Sequence, residues 1–232
     1  MNPYHFVITC EHAVNFIPPQ YESYFAPHAD LLKTHQGYDI GALGISETLA
    51  KTLNVTFFQA TTSRLLIELN RSLMHPHCYS SISKAMPEAL KQQLIDEYYQ
   101  PYRDAIINHF QKIIAQNKTI LHFSIHSFTP ILHNKVRKGD LCLLYDARRK
   151  AEFNLAKKWQ KWLQNKAPDL IIRRNYPYMG KTDGLVSSCR KQFKEAQYVG
   201  FEIESNQVKV VHLENQMRFG ILLTEMVRPY IR

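Results

Sequence analysis

Two histidines and a pair of glutamates stand at the ends of apolar runs, and such a set has the composition of a metal site. His12 follows the run 6–10 in Cys10-Glu11-His12-Ala13-Val14-Asn15, and His126 follows the run 119–125 in His126-Ser127-Phe128. Glu202 and Glu204 are two residues apart at the end of a third run, so a strand there turns both carboxylates to one face. Two imidazoles and a carboxylate, with a fourth position open to water, form the usual catalytic zinc set. A single histidine at a strand end is ordinarily a hydrogen-bonded structural residue, but two in one chain, each leaving a strand, weaken that reading. A second constellation is Ser63-Arg64 through Glu68-Leu69-Asn70-Arg71. Arg64 and Arg71 bracket an apolar stretch that reads as a strand over 64–69, so both guanidiniums leave the sheet. Arginine suits bidentate carboxylate binding, and Asn70 adds a neutral donor beside it. The plainer alternative pairs both arginines with surface acids.

These side chains need a scaffold that brings strand ends together. Short β-branched and aromatic runs at 6–10, 55–59, 64–69, 119–125, 140–145, 170–173 and 198–203 predict strands. Helical patterns lie between them. The segment 42–53 carries apolar residues at 42, 43, 45, 49, 50 and 53, one face of a helix. A long amphipathic stretch over 87–117 is interrupted by Pro101, which predicts two helices or one kinked helix. Patterns over 151–164 and 216–230 complete the set. Strands separated by helices of this length predict an α/β fold, a three-layer α/β/α sandwich around a central mixed, mostly parallel sheet. In such folds, sites form beyond the carboxyl ends of strands. With 232 residues and no internal repeat, one domain over 1–232 is expected.

Charge and composition bound the partners. Hydrophobic residues make up 45% and charged residues 21%, which excludes a disordered or fibrous chain. The 29 Lys+Arg against 20 Asp+Glu give +9, a surplus that favours anionic partners without saying which. Arg148-Arg149-Lys150 with Lys157, Lys158 and Lys161 has the composition of a phosphate-following patch in a nucleic-acid-binding protein. Trp159 and Trp162 supply the apolar side of the same stretch, so the solvated face of an amphipathic helix accounts for these charges. No RNP, KH or zinc-finger spacing is present. Cys10, Cys78, Cys142 and Cys189 are scattered, with no CxxC and no secretory spacing. The first ten residues lack a basic n-region and a long apolar h-region, and no run approaches the ~18 apolar residues of a membrane span. The expectation is a reduced, cytoplasmic enzyme with neither a nucleic-acid nor a membrane partner.

Several ordered segments resemble the N-formylglutamate amidohydrolase family, metal-dependent hydrolases related in fold to zinc carboxypeptidases. They are Thr9-Cys10-Glu11-His12-Ala13 through Asn15 and Pro18, then His35-Gln36-Gly37-Tyr38-Asp39-Ile40-Gly41-Ala42, then Ser63-Arg64 through Arg71. Pro101-Tyr102, His126-Ser127-Phe128, Asn175-Tyr176-Pro177-Tyr178-Met179-Gly180 and Gly200-Phe201-Glu202-Ile203 follow, so the likeness runs from residue 7 to about 205. It implies a zinc-carboxypeptidase-like, phosphorylase/hydrolase-like fold with Zn2+ held by His12, His126 and a third ligand. Carboxypeptidases carry a glutamate three residues after the first histidine. Here that position is Asn15, which leaves Asp39 as first choice, Glu11 as second, and His35 as a ligand or a ligand's partner. The resemblance further implies Glu202 as general base, Arg64 as oxyanion donor, and Asn70 and Arg71 on the substrate carboxylate. Glu68 stands where these families commonly have aspartate. Tyr178 and Lys181, with the turn signals Pro177-Tyr178-Met179-Gly180 and Asp183-Gly184, read as a substrate-covering loop.

The implied reaction is hydrolysis of the N-acyl amide of a small acidic amino acid. The resemblance points to N-formyl-L-glutamate, giving formate and L-glutamate as in one route of histidine degradation, so the expected partner is a small anionic substrate. A non-catalytic relative that binds an acidic metabolite is the other alternative, and intact His12, His126 and Glu202 argue against it. The enzyme reading expects no measurable affinity for DNA or RNA at physiological ionic strength. Binding that is similar for every sequence and falls steeply with salt would restore the nucleic-acid reading.

Overall fold

Strands and helices alternate as the apolar periodicity requires. The computed structural model describes residues 4–231. Residues 1–3, part of the ten-residue start considered above, and Arg232 lie outside the described residues. In chain order the main elements are β1 (His5–Cys10), α1 (Ala42–Leu53), β2 (Thr56–Gln59), α2 (Gln100–Ala115) and β3 (Ile120–Phe128). Then come β4 (Leu141–Leu144), α3 (Lys150–Lys166), β5 (Ile172–Arg174), α4 (Leu185–Gln192), β6 (Tyr198–Asn206) and α5 (Leu213–Val227). A small ribbon pairs Ile131–Leu132 with Lys135–Val136. The main sheet has the order β2-β1-β3-β6-β4-β5. All neighbours are parallel except β4 and β6, where Leu144 lies opposite Glu202 in an antiparallel pair. The expected mixed, mostly parallel sheet is present.

Every residue of β3 and β6 is buried, as the centre of a sheet covered on both faces demands. Their alternation divides the layers. Leu121, Phe123 and Ile125 of β3 and Val199, Phe201 and Ile203 of β6 pack with buried residues of α1, α3 and α5. On the other face, Val7, Ile120 and Tyr198 meet Ile106 and Phe110 of α2 and Leu185, Val186 and Cys189 of α4. That second face changes character along the strands. Beyond Ile120 and Tyr198 it carries His122, Ser124 and His126 on β3 and Glu202 and Glu204 on β6, all buried. A polar stripe two strands wide therefore runs toward the carboxyl edge of the sheet. In α3, Trp159 is buried against Phe201 and Phe123, at centroid distances of 4.8 and 5.5 Å, while Lys157, Lys158 and Lys161 are exposed. These lysines are that helix's solvated face, whereas Arg149, just before it, turns inward onto the Tyr198 carbonyl at 2.6 Å.

Several local expectations differ from the structure. The run 64–69 is not a strand: it is a chain of turns, with the Ser63 hydroxyl accepting the Leu65 N–H and the Glu68 N–H donating to the Cys78 carbonyl. Side-chain and turn bonds satisfy the backbone there without a ladder. Leu65, Leu66, Ile67 and Leu69 are buried all the same, and burial alone made the run look like a strand. Strand β3 continues to Phe128, which places His126 inside it. Pro101 sits in the first turn of α2, where no N–H is needed, and a π-helical turn over Ile95–Tyr99 joins it to the helix Glu88–Leu94. The eight-residue α4 was too short for its period to stand out. Among the described residues, no helix is long and apolar enough to cross a membrane.

Helices α1 and α5 cross where Gly220 removes a side chain. A Cβ at that position would lie 2.6 Å from the Thr48 Cβ and 3.1 Å from the Ile45 carbonyl oxygen. We expect G220A to force the helices apart at a cost of about 1–3 kcal/mol. Thermal denaturation should show Tm lowered by roughly 3–10 °C.

Candidate active site and metal centre

The polar stripe of β3 and β6 forms the floor of a cavity of about 510 Å³, walled by loops that include Arg64, Arg71, Tyr178 and Asp183. His12, two residues past the end of β1, and His126, within β3, approach each other there. Asp39 joins them from the turn before α1, anchored by its N–H on the His12 carbonyl at 3.0 Å. Gly41 makes that turn possible: its φ is +84°, and a Cβ would lie 2.5 Å from the Val210 carbonyl oxygen. All three side chains are buried and form one group able to hold a metal ion.

The donor atoms define the geometry. His12 Nδ1 is 3.1 Å from Asp39 Oδ2, His126 Nδ1 is 3.0 Å from the same oxygen, and the two Nδ1 atoms are 3.2 Å apart. Each imidazole has its other nitrogen on an acceptor. His12 Nε2 lies 2.5 Å from Glu68 Oε1, while His126 Nε2 lies 2.7 Å from Ser124 Oγ and 3.1 Å from Glu11 Oε2. The Ser124 hydroxyl donates to the same Glu11 oxygen at 2.5 Å. With Nε2 protonated toward these partners, both Nδ1 atoms present lone pairs. Three lone pairs thus converge on one another. The edges of their triangle are close to the roughly 3.3 Å expected between ligands of a tetrahedral zinc with 2.0–2.1 Å bonds. A histidine whose second nitrogen rests on a carboxylate is the usual support for a metal ligand.

The electrostatics agree with that reading. Glu11, Asp39 and Glu68 are buried around the imidazoles and only Arg64 opposes them, so the cluster favours added positive charge at its centre. Burial works against charge on His126, yet hydrogen bonds to Asp39 and Glu11 outweigh it and raise its pKa well above the usual value, so a proton on Nδ1 and a metal ion compete for the same place. Burial also acts to raise Glu11, but His126 and Ser124 prevail and hold it at about 2. Burial pushes Glu204 up to about 7, with His126 pulling it back and Asp39 and Glu202 adding to the rise.

The other residues singled out in the sequence have the following surroundings. Arg64 straps two carboxylates together, its Nε and Nη2 on Glu68 Oε2 at 2.9 and 2.6 Å and its Nη1 on Asp39 Oδ1 at 3.2 Å. Three of the five guanidinium N–H groups are thereby engaged, leaving two toward the cavity. Asn70 accepts the Leu185 N–H at 2.7 Å and extends its amide toward Glu202 Oε1 at 3.4 Å, so both ends of its side chain are occupied. Arg71 spends Nη1 on the carbonyls of Asn70 and Asp183, and Tyr99, from the π-helical turn, holds the Arg71 carbonyl at 2.8 Å. Tyr178 stands half-exposed at the mouth with the Arg137 guanidinium 4.9 Å from its ring centre. Glu202 lines the floor. Glu11 is turned away from the lone-pair triangle by Ser124, His126 and Tyr102. His35 is exposed and outside the cavity lining. Lys181 lies in a separate depression with Arg148, Arg149 and Arg190, not in the cavity.

Sequence reasoning passed over Glu68, noted only as a substitution, because its contacts with His12 and Arg64 arise from a loop with no periodic signal. Glu204 was visible as the neighbour of Glu202 on one strand face but received no task. His75 and His77, on the loop after Arg71, also line the cavity.

Three layers around a mostly parallel sheet, with a polar cavity and a His–Asp–His group able to hold a metal, define an α/β protein with a candidate metal centre. A profile of the N-formylglutamate amidohydrolase family matches residues 4–209, and the chain belongs to that family. A gene product of Agrobacterium tumefaciens of solved structure superimposes with a TM-score of 0.82 at 23% identity, covering 98% of this chain and 90% of that one. The N-formylglutamate amidohydrolase of Ralstonia eutropha gives a TM-score of 0.73 at 16% identity, covering 98% and 94%. At these identities the two likenesses carry the fold. No curated protein matches the sequence.

Gly184 allows Asn70 and Glu202 to meet beneath the loop. Its backbone is extended, which any residue adopts, so the constraint is space: a Cβ would lie 2.9 Å from Asn70 Oδ1 and 3.2 Å from Glu202 Oε1. We expect G184A to keep the fold, to displace the Asn70 and Glu202 side chains, and to lower amidohydrolase kcat by about 10²-fold. Steady-state kinetics beside an unchanged circular dichroism spectrum would show it.

Proposed function

We propose that this protein is a zinc-dependent amidohydrolase that removes the N-acyl group of a small acidic amino acid, with N-formyl-L-glutamate as substrate and formate and L-glutamate as products. The observation that carries the reading is the convergence of His12 Nδ1, Asp39 Oδ2 and His126 Nδ1 at 3.0–3.2 Å. These three residues would hold the metal, with Glu68 and Glu11 fixing the two imidazoles. Three buried carboxylates against one guanidinium leave two negative charges, which a divalent cation neutralises. A zinc ion bound there supplies Lewis acidity, polarising the amide carbonyl and bringing the pKa of a water to ~7.

The chain's own residues do the rest. Glu202, steadied by Asn70, takes a proton from the attacking water and delivers it to the leaving nitrogen as the C–N bond breaks. The two uncommitted N–H groups of Arg64 face the carbonyl oxygen that turns negative. Arg71 retains its Nε–H and both Nη2 hydrogens for a substrate carboxylate, a planar array suited to bidentate pairing. Asn70 contributes by holding Glu202 and the start of α4, and Tyr178 covers the mouth.

Protein purified without added metal should contain close to one equivalent of transition metal per chain, and chelation should abolish hydrolysis of N-formyl-L-glutamate. E202Q should retain the metal and lose activity by ~10²–10⁴-fold. E68Q, which leaves His12 without its carboxylate, should weaken metal affinity by ~10–100-fold. Absence of bound metal together with no gain in activity on adding zinc or cobalt would sink the mechanism. A panel of N-formyl, N-acetyl and N-succinyl amino acids identifies the acyl group.

A further inference from the structure

One carboxyl in the cavity has no task in the reaction above. Glu204 is 7% exposed and lines the cavity floor, yet its Oε2 has no hydrogen-bond partner among the described residues. A carboxyl withdrawn from water without a partner destabilises the fold, so its retention calls for a ligand that supplies the missing hydrogen bond. The neighbouring acceptors are differently placed. Asp39 is bound by Arg64 and the Ser127 N–H, Glu68 by Arg64, His12 and the Asn70 N–H, and Glu11 by Ser124 and Tyr102. Glu202 is partly held by Asn70. Glu204 alone among these carboxylates stands open to the cavity with a buried oxygen unmet. Nor does it belong to the metal group, which comprises His12, Asp39 and His126.

Its position says what it would meet. On β6 it lies directly opposite His126 in the parallel ladder, and two residues along the same face from Glu202. It therefore flanks the place where the reacting amide must lie, between the His–Asp–His group and the general base. A bound N–H donor favours the ionised form of Glu204, and that form only accepts hydrogen bonds. The uncommitted N–H groups of Arg64 and Arg71 serve the substrate's oxygens, and the one donor an N-acyl amino acid offers beside its reacting carbon is the amide N–H. We propose that Glu204 accepts a hydrogen bond from the N–H of the scissile amide and restricts this enzyme to secondary amides. A tertiary amide would set a methyl group against the carboxylate. An ester would set an oxygen there, acceptor against acceptor. A site built around an N–H rejects an analogue that lacks it far more strongly than an apolar pocket rejects a missing methylene.

This inference rests on the amidohydrolase reading, and its test separates the two. N-methylsulfonyl-L-glutamate, which carries the N–H but does not undergo amide hydrolysis, and its N-methyl derivative are titrated calorimetrically into the metal-bearing protein as purified. The N–H ligand should bind at least about 100-fold more tightly. In E204A that ratio should fall to within about threefold, with metal content unchanged and Tm at or above the wild-type value, because an unpartnered carboxyl has been removed. E204Q, whose amide oxygen still accepts, should retain part of the ratio. Equal affinity of the two ligands for wild type, or no binding of either, overturns the proposal, and neither result depends on how the variants fold. A preserved ratio in E204A overturns it as well, and loss of metal in E204A would make Glu204 a ligand instead. Discrimination between the ligands with no hydrolysis of any N-acyl amino acid would remove the amidohydrolase reading and leave N–H recognition standing.

Discussion

Three lone pairs aimed at one another are the constraint around which the site is organised. With both Nε2 atoms committed to Glu68 and Glu11, the two Nδ1 atoms and Asp39 Oδ2 have no proton to share in the neutral state, at separations of 3.0–3.2 Å. In a dry interior such an arrangement repels unless a cation enters it. The surroundings hold it in place. Arg64 ties Asp39 to Glu68, the Ser127 N–H caps Asp39 Oδ2, and Ser124 joins His126 to Glu11. Loop, strand and turn are therefore coupled through charge, where a purely structural core would couple them through apolar contact.

Such a network weakens the face of the sheet that carries it, and the other face compensates. Phe6, Ile8, Phe123, Phe201 and Trp159 belong to one continuous apolar cluster against α1, α3 and α5. The second face has a smaller cluster, formed where β1, β3 and β6 begin, and gives way to polar residues farther along. Stability and chemistry occupy opposite sides of the same strands, separated by the two-residue alternation of the backbone. Natural folds depart from local consistency at functional sites and compensate elsewhere.

The same alternation governs how much could be read in advance. Strands β1, β3 and β6 stand out by their β-branched and aromatic runs, and α1 by its period, so the layered α/β architecture was legible. His12 and His126 were legible as histidines at strand ends, and Glu202 with Glu204 as carboxylates on one face. Asp39 and Glu68 were different. They reach His12 across 27 and 56 residues of chain, and no local pattern encodes such meetings. Asp39 was reached only through the family resemblance. The stretch 64–69 misled because burial leaves the same apolar signature on a turn-rich loop as on an inner strand.

The cavity is assembled from two kinds of material. Its floor is sheet, held by the ladder between β3 and β6, whereas its walls are connections: the stretch carrying Arg64 and Arg71, the segment with His75 and His77, and the loop from Tyr178 to Gly184. Backbone locked in a central ladder opens only with the whole molecule, while connections open and vary independently. His126, Glu202 and Glu204 thus sit on backbone that cannot shift locally, whereas Arg64, Arg71 and Tyr178 sit on connections that can. Residues of the mouth are free to change over evolutionary time at little cost to the sheet beneath them.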